Sequence, residues 1–233
     1  MTATFVLVHG GGHGGWCYSR VAPLLRAAGH DVYTPTLTGL GERVHLAHRA
    51  LNVESHIQDI LAVLEFEDLH DVILVGHSYG GMVATGVADR ARDKIRHLVY
   101  VDAFAPEGGK SVNDYVPDRR DAARKDAIDG WRLPPLNPIP ADTSPEDVAW
   151  LAPRRVHQPL QCFEERLELK GGPLTLPRTY IYAQRCFPGD RFRQFLERAR
   201  KEGWAAYEMD ASHSPHVTAP EALMEILDKV ARS

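Results

Sequence analysis

The sequence predicts an α/β fold in which a mostly parallel central sheet has helices on both faces. Two stretches of the chain, residues 1–104 and 178–233, alternate short apolar runs with segments of helical periodicity. The apolar runs lack a polar face, as strands buried on both sides of a parallel sheet do. Residues 105–177 lose this alternation and are rich in proline. We therefore predict one core made of both stretches, with 105–177 inserted as a mainly helical cap.

Each element is predicted from a local pattern. Short apolar runs, of which Val72 to Val75 is the most strand-like, predict strands at 5–8, 31–34, 72–75, 95–101, 178–183 and 204–209. Apolar residues that recur at helical spacing, such as Ile57, Ile60 and Leu64, predict helices at 16–28, 53–66, 79–92, 190–201 and 220–230.

Composition and charge exclude several classes of protein. The 31 acidic side chains outnumber the 27 basic ones, and the formal charge is −4, whereas nucleic-acid binders carry a basic excess or stripe. No apolar run of the sequence approaches the roughly 18 residues that cross a bilayer, so we expect no membrane association. Cys17, Cys162 and Cys186 are odd in number and lack metal-ligand spacing. This usage is typical of a reduced, cytoplasmic protein without a metal.

A serine lies at the centre of the sequence Gly76-His77-Ser78-Tyr79-Gly80, which matches G-x-S-x-G. The pattern follows the best predicted strand and opens a predicted helix, as a nucleophile elbow does. Glycines two residues before and after the serine relieve the crowding of so sharp a turn. We predict that Ser78 is a nucleophile, in preference to a helix N-cap beside tightly packed glycines.

The base that activates such a serine lies after the last strand and before the last helix. His213 occupies this place in the sequence, and His216 is the alternative three residues on. We predict that His213 is the base.

A glycine-rich loop, residues 10–15, follows the first predicted strand. Its backbone N–H groups are suited to an oxyanion, and we expect the N–H of Gly11 (or Gly12) to act together with that of Tyr79. The loop also fits the dinucleotide pattern G-x-G-x-x-G. That fingerprint requires an acidic residue near the end of the second strand, where this chain has residues 34–36, Thr-Pro-Thr.

Several motifs together resemble plant methylesterases, hydroxynitrile lyases and their bacterial esterase relatives, a group of the α/β-hydrolase superfamily. The resemblance is carried by HG at 9–10, HGGW at 13–16, LLRAAGH at 24–30 and GHSYGGM at 76–82. It implies a capped α/β-hydrolase without a cofactor that acts on small esters. It also implies that the oxyanion N–H groups belong to Gly11 and Tyr79, and that the base is His213.

The chain departs from this group at the acid of the catalytic triad. The position that matches the acid of the plant proteins is Cys186, and Asp190 is the nearest carboxylate. Asp102 instead follows the preceding predicted strand, and hydrolases of this fold draw the acid from either strand end. We predict that Asp102 is the acid of the triad. The alternative role for Asp102 is structural, with its side chain capping the turn that leads into residues 105–177. Asp190, Glu107, Asp210 and a missing acid remain alternatives.

A second departure bears on the reaction. The hydroxynitrile lyases of this group have a lysine just after the base, where this chain has Ser214, and a hydroxyl residue at the position of Gly10. Lyase activity is therefore disfavoured.

We predict a serine hydrolase that cleaves carboxylic esters through an acyl-enzyme, with a small-molecule ester as its partner. Gly12, His13, Trp131 and Trp150 are expected to line an apolar pocket that favours hydrophobic or aromatic esters over charged ones. The alternatives are a non-catalytic protein that binds a small ligand, or amide hydrolysis, lactone hydrolysis or acyl transfer at the same triad. The sequence leaves the oligomeric state open, a homodimer included.

Overall fold

The central sheet joins strands from both ends of the chain. A computed structural model describes residues 2–135, 137–185 and 190–233, with the backbone alone for Arg119. In this part of the chain the strands are β1 (Thr4–Val8), β2 (Asp31–Tyr33), β3 (Val72–His77), β4 (Ile95–Val101), β5 (Arg132–Leu133), β6 (Gln158–Pro159), β7 (Arg178–Arg185) and β8 (Ala205–Ser212). Six of these described strands form one parallel sheet in the order β2-β1-β3-β4-β7-β8.

Helices connect the strands and cover both faces of the sheet. The described α-helices are α1 (Val21–Ala27), α2 (Val53–Phe66), α3 (Gly80–Arg90), α4 (Val112–Tyr115), α5 (Pro117–Asp126), α6 (Pro145–Leu151), α7 (Gln161–Glu164), α8 (Arg193–Lys201), α9 (Pro215–Thr218) and α10 (Pro220–Arg232). Short 3₁₀ helices lie at Gly15–Tyr18, Gly41–Leu46 and Ala152–Arg154. No described helix is long and apolar enough to cross a membrane.

Two apolar clusters, one on each face of the sheet, form the core. Val72 and Leu74 of β3 pack with residues of α2, α3 and α8, whereas Ile73 and Val75 pack with residues of α1 and α10. Successive side chains of a strand point to opposite faces, so a strand with a helix layer on each side is apolar at every position. The predicted α/β class with a mostly parallel sheet is confirmed.

One predicted helix, at 16–28, is wrong in its first half. The chain there forms the 3₁₀ helix Gly15–Tyr18 and then α1, which begins at Val21. Pro23 has no N–H to donate to the carbonyl four residues before it. Proline is therefore tolerated in the first turn of an α-helix, and a helix that contains Pro23 begins just before it. The predicted helix at 190–201 begins at Arg193, whose N–H donates to Asp190 Oδ1 at 3.1 Å.

The strand register brings several carboxyl ends to one edge of the sheet. Val8 of β1 is paired with Gly76 of β3, and Val101 of β4 is paired with both His77 of β3 and Ile181 of β7. β1 and β3 are also the point at which the strand order reverses, and in open α/β sheets ligands bind at such a point. The loops after β1, β3, β4 and β8 therefore meet above this edge.

The segment between β4 and β7 covers that edge. It contains α4 to α7 and the antiparallel pair of β5 and β6. Ser111 caps α4 through a capping box with Asp114, and Ser144 caps α6 by accepting from the N–H of Asp147. These short capped helices replace the bare loop that a proline-rich segment would otherwise form. The boundaries of the cap at 105 and 177 stay a prediction.

Candidate active site

Ser78 lies in the tight turn between β3 and α3. Its φ of +52° is in the left-handed region, where a residue with a side chain is strained. A Cβ on Gly76 would lie 2.7 Å from the carbonyl oxygen of Gly80, and a Cβ on Gly80 would lie 2.5 Å from that of Val8. Only glycine fits at both positions, so the local sequence permits the sharp turn that places Ser78 at the carboxyl edge of the sheet.

Three polar side chains from three strand ends form a hydrogen-bonded series. Nε2 of His213 lies 3.0 Å from Oγ of Ser78, and Nδ1 of His213 lies 2.7 Å from Oδ2 of Asp102. A carboxylate only accepts, so Nδ1 carries the ring proton and Nε2 faces the serine hydroxyl as an acceptor. Ser78, His213 and Asp102 are 7%, 6% and 2% exposed, and such burial strengthens each hydrogen bond. This series is suited to take a proton from Ser78.

Asp102 is held by the strand next to it. Its φ is +41°, just after the last residue of β4. Its N–H donates to the carbonyl oxygen of Ile181 at 2.7 Å, and its Oδ1 accepts from the N–H of Ala183 at 3.3 Å. One carboxylate oxygen is therefore fixed by β7, and the other is left for His213.

The alternative acids are engaged elsewhere. Each of the three carboxylates that the sequence left as alternatives contacts an arginine: Asp190 with Arg193, Asp210 with Arg185 and Glu107 with Arg198. Asp190 also accepts a hydrogen bond from the hydroxyl of Tyr182 at 2.6 Å. Among the described contacts of these three carboxylates, none is to His213. The remaining position that the sequence singled out, Cys186, lies outside the described residues.

His216, the alternative base, lies behind the site. It is 0% exposed, and its ring centroid is 4.5 Å from that of His77 and 5.3 Å from that of Tyr18. Within the described residues neither of its ring nitrogens has a hydrogen-bond partner, and burial lowers its pKa to about 3. His77 in turn donates from Nε2 to the carbonyl oxygen of His213 at 2.6 Å. His77 thus supports the loop after β8 that carries His213 (the histidine loop). Among the described contacts of these three rings, the hydrogen bond to Ser78 Oγ belongs to His213.

The loop after β1 places backbone N–H groups beside the serine. Gly11 and Tyr79 line the same cavity as Ser78, and in the described structure neither of their N–H groups donates to a protein acceptor. The N–H of Gly12, by contrast, donates to Oε1 of Gln158 at 3.0 Å. These contacts favour Gly11 over Gly12 as the second oxyanion donor.

The cavity above Ser78 has a floor from the sheet edge and a roof from the cap. His13 and Gly12 line it, and Leu133, Leu151 and Phe163 are among its apolar cap residues. Trp131 and Trp150 are not among its described lining residues. Trp150 packs edge-on against Trp16 at 5.1 Å, with the guanidinium groups of Arg20 and Arg154 over its ring. Trp131 lies beneath the guanidinium of Arg132.

Sequence reasoning missed several polar and aromatic residues of the site. Gln158 reaches, across 146 positions of the chain, the glycine-rich loop at residues 10–15 that carries the predicted oxyanion donor (the oxyanion loop). Phe192 stacks on the ring of His213 with centroids 4.9 Å apart and planes 12° apart. Asn113 and Arg155 also line the cavity. No motif marks these residues, because their places depend on how the cap folds over the sheet.

The described residues contain no group of three histidine, cysteine or acidic side chains placed to hold a metal ion, and the glycine-rich loop differs from a dinucleotide site. The glycine-rich loop leads into a four-residue 3₁₀ helix, Gly15–Tyr18, whereas a dinucleotide fold places the pyrophosphate at the N-terminus of a longer α-helix. In addition, the N–H of Gly15 donates to Oγ1 of Thr36 at 2.8 Å, so it is not available to a phosphate.

Comparison with known proteins gives concordant results. Residues 5–226 match the model of the alpha/beta hydrolase family. The chain is 44% identical to a carbendazim hydrolyzing esterase of Nocardioides sp. (strain SG-4G), over 97% of this chain and 98% of that protein. It is 39% identical to methylesterase 9 of Arabidopsis thaliana, over 44% of this chain and 41% of that protein. An extracellular alpha/beta-hydrolase from a Paenibacillus species superimposes with a TM-score of 0.84 at 26% identity, over 97% and 98% of the two chains.

Proposed function

The chain belongs to the alpha/beta hydrolase family, and from this premise we propose that it cleaves carboxylic esters with Ser78 as nucleophile, His213 as base and Asp102 as orienting acid. The observation that carries the proposal is the pair of contacts at His213, 3.0 Å to Ser78 Oγ and 2.7 Å to Asp102 Oδ2. A bacterial relative that is an esterase by name, and matches nearly the whole chain, supports the same reaction class.

In the proposed mechanism Ser78 Oγ attacks the ester carbonyl while Nε2 of His213 takes its proton. The N–H groups of Gly11 and Tyr79 stabilise the oxyanion of the tetrahedral intermediate. His213 then gives the proton to the leaving alcohol, and an acyl-enzyme remains on Ser78. Water, activated by His213, attacks the acyl group and restores the serine.

The cavity wall favours an apolar or aromatic substrate. Phe104, Leu133, Leu151 and Phe163 line it, and burial of an aromatic ring against them stabilises the complex by about 25 cal/mol for each Å² of apolar surface removed from water. Carbendazim is the first substrate to test, because the bacterial relative is named for its hydrolysis. The lyase alternative stays disfavoured, since Ser214 lines the cavity and a neutral hydroxyl lacks the positive charge of lysine.

We also propose that the protein works in the cytoplasm, where a homodimer is one of the assemblies open to it. The cytoplasmic location is supported by Cys17 and Cys162, which are buried free thiols of the kind that a reducing compartment maintains. Light scattering of the purified protein tests the dimer. A mass of one chain, 26.0 kDa, would exclude it.

Hydrolysis of p-nitrophenyl acetate and butyrate tests the proposed activity. We expect Ser78→Ala to lower kcat by about 10⁴- to 10⁶-fold, and a fluorophosphonate probe to label the native chain at Ser78 but not the variant. The matched control is Ser55→Ala, on α2 and outside the cavity, which should keep native turnover. A native chain that neither turns over these esters nor takes the label would instead be a ligand-binding protein.

A further inference from the structure

The wall of the substrate cavity carries nitrogen donors without carboxylates. Buried nitrogen atoms of three lining side chains, Asn113 Nδ2, Arg155 Nε and Gln158 Nε2, have no hydrogen-bond partner within the described residues. The described residues that line the cavity include two arginines and no aspartate or glutamate. Buried donors are nearly always paired, so a wall of this kind is suited to a ligand that brings acceptors.

Arg155 is the strongest of these donors because it is a cation. Its Nη2 donates to the carbonyl oxygen of Asn137, and it forms no ion pair with a carboxylate of the described chain. Burial lowers its pKa, since the surrounding cap disfavours the charged form. A ligand with no acceptor for Arg155 would remove more water from the guanidinium without replacing it, which offsets part of the stabilisation that the apolar wall provides.

Arg155 lines the same cavity as Ser78 and lies next to a residue that contacts the glycine-rich loop. The next residue, Val156, donates its N–H to the carbonyl oxygen of Gly12 at 2.9 Å, so Arg155 is one residue from a direct contact with the oxyanion loop. Arg191 adds a second guanidinium to the same cavity and donates to Oδ1 of Asn137 at 3.4 Å. The cavity therefore combines an apolar wall with positive charge.

We propose that Arg155 binds an anionic group of the substrate, so that the esters this chain prefers carry a carboxylate on an apolar or aromatic body. Guanidinium and carboxylate form charge-assisted, often paired hydrogen bonds, and they are strongest where water is excluded. The inference rests on the proposed esterase function and narrows its substrate class. It differs from the expectation that the pocket favours hydrophobic or aromatic esters over charged ones, because it adds a carboxylate to the apolar body.

Two esters of nearly equal size test the inference: methyl 4-carboxybenzoate, which is anionic at pH 8, and methyl 4-methylbenzoate, which is neutral. Their kcat/KM values are measured with the native enzyme, Arg155→Met and Arg154→Met, and each ester is also measured as a competitive inhibitor of p-nitrophenyl acetate hydrolysis. Arg154 is the matched control, because it is exposed, packs on Trp150 and is not among the described lining residues.

We expect the native enzyme and Arg154→Met to prefer the carboxylate ester by about 10- to 100-fold in kcat/KM or in inhibition constant, the size of a charge-assisted contact. In Arg155→Met the ratio should fall to about one, through a rise in KM for the anionic ester. Native turnover of p-nitrophenyl acetate without any preference overturns the inference and leaves the esterase proposal intact. A preference that survives in Arg155→Met overturns the role of Arg155. Failure of the esterase proposal is separate, since then no ester is cleaved and Ser78 is not labelled.

Discussion

Substitution of Asp102 by asparagine is expected to reverse the proton arrangement of His213. The N–H of Ala183 donates to Oδ1 of Asp102 at 3.3 Å, so in the variant the amide oxygen takes that side. The amide NH₂ then faces Nδ1 of His213, 2.7 Å from the present Oδ2. A donor at this place makes Nδ1 an acceptor and moves the ring proton to Nε2. Nε2 is then unable to accept the proton of Ser78.

The size of the effect follows from this change of tautomer. Asp102 is 2% exposed, so water has little access to take over the role of the carboxylate. The same substitution in Ser-His-Asp hydrolases lowers kcat by about 10⁴-fold, which corresponds to about 5.5 kcal/mol of transition-state stabilisation. Because amide and carboxylate have nearly the same shape and the bond from Ala183 is kept, we expect the fold to be retained.

The assay is kcat for p-nitrophenyl butyrate at pH 8, with Tm measured in parallel to check folding. Asp190→Asn is the matched control. Asp190 follows β7 at the same edge of the sheet, and its carboxylate contacts Tyr182 and Arg193. The kcat of this variant should stay within about threefold of the native value, because the residue does not reach His213. A loss below tenfold in Asp102→Asn, or a larger loss in Asp190→Asn, would refute the assignment of the acid.

Two further predictions concern positioning and stability. In Gln158→Leu the Gly12 N–H loses its acceptor, so we expect the oxyanion loop to shift and kcat to fall by roughly tenfold, which is less than the 10²- to 10³-fold effect of losing an oxyanion donor. The control Gln161→Leu, exposed on α7, should behave as native. Burial lowers the pKa of His216 in the folded chain to about 3, whereas the pKa of an unfolded histidine is about 6.5. The unfolded state therefore binds more protons than the folded state, and the free energy of unfolding falls as the pH drops below about 6.5. Between pH 7 and pH 5 this histidine alone accounts for a loss of about 2 kcal/mol. Urea unfolding should show a pH dependence that is smaller by this amount in His216→Phe, and equal slopes would contradict the reasoning.

The sequence predicts well those features that depend on local physics. The run from Val72 to Val75 is apolar at every position, and it forms the strand that packs on both layers of the core. Gly76 and Gly80 flank Ser78, and their close backbone contacts are what the elbow requires. The parallel register also makes strand ends meet at one edge. The proximity of Asp102 to the histidine loop could thus be expected from its place after a strand.

Long-range packing of the cap is what the sequence does not predict. The sequence predicts Trp131 and Trp150 in the pocket because large aromatic residues suggest an apolar lining, yet neither is among its described lining residues and both pack beneath arginines. Arg155 and Gln158 carry no motif and come to the cavity through the fold of a proline-rich segment. Periodicity is too short-ranged to predict the fold of the cap over the sheet, because contacts such as that of Gln158 with Gly12 join residues 146 positions apart.

One contact links the rate of the reaction to the choice of substrate. Gly12 lies next to the proposed oxyanion donor Gly11, and it is bonded to the cap twice: its N–H donates to Gln158 at 3.0 Å and its carbonyl oxygen accepts from Val156 at 2.9 Å. Arg155 directly precedes Val156 in the chain and donates to the carbonyl oxygen of Asn137. A displacement of this part of the cap therefore moves the substrate-binding wall and the oxyanion loop together. For this reason we expect substitutions in the cap that change which ester binds to alter kcat as well as KM, even though Ser78, His213 and Asp102 stay the same.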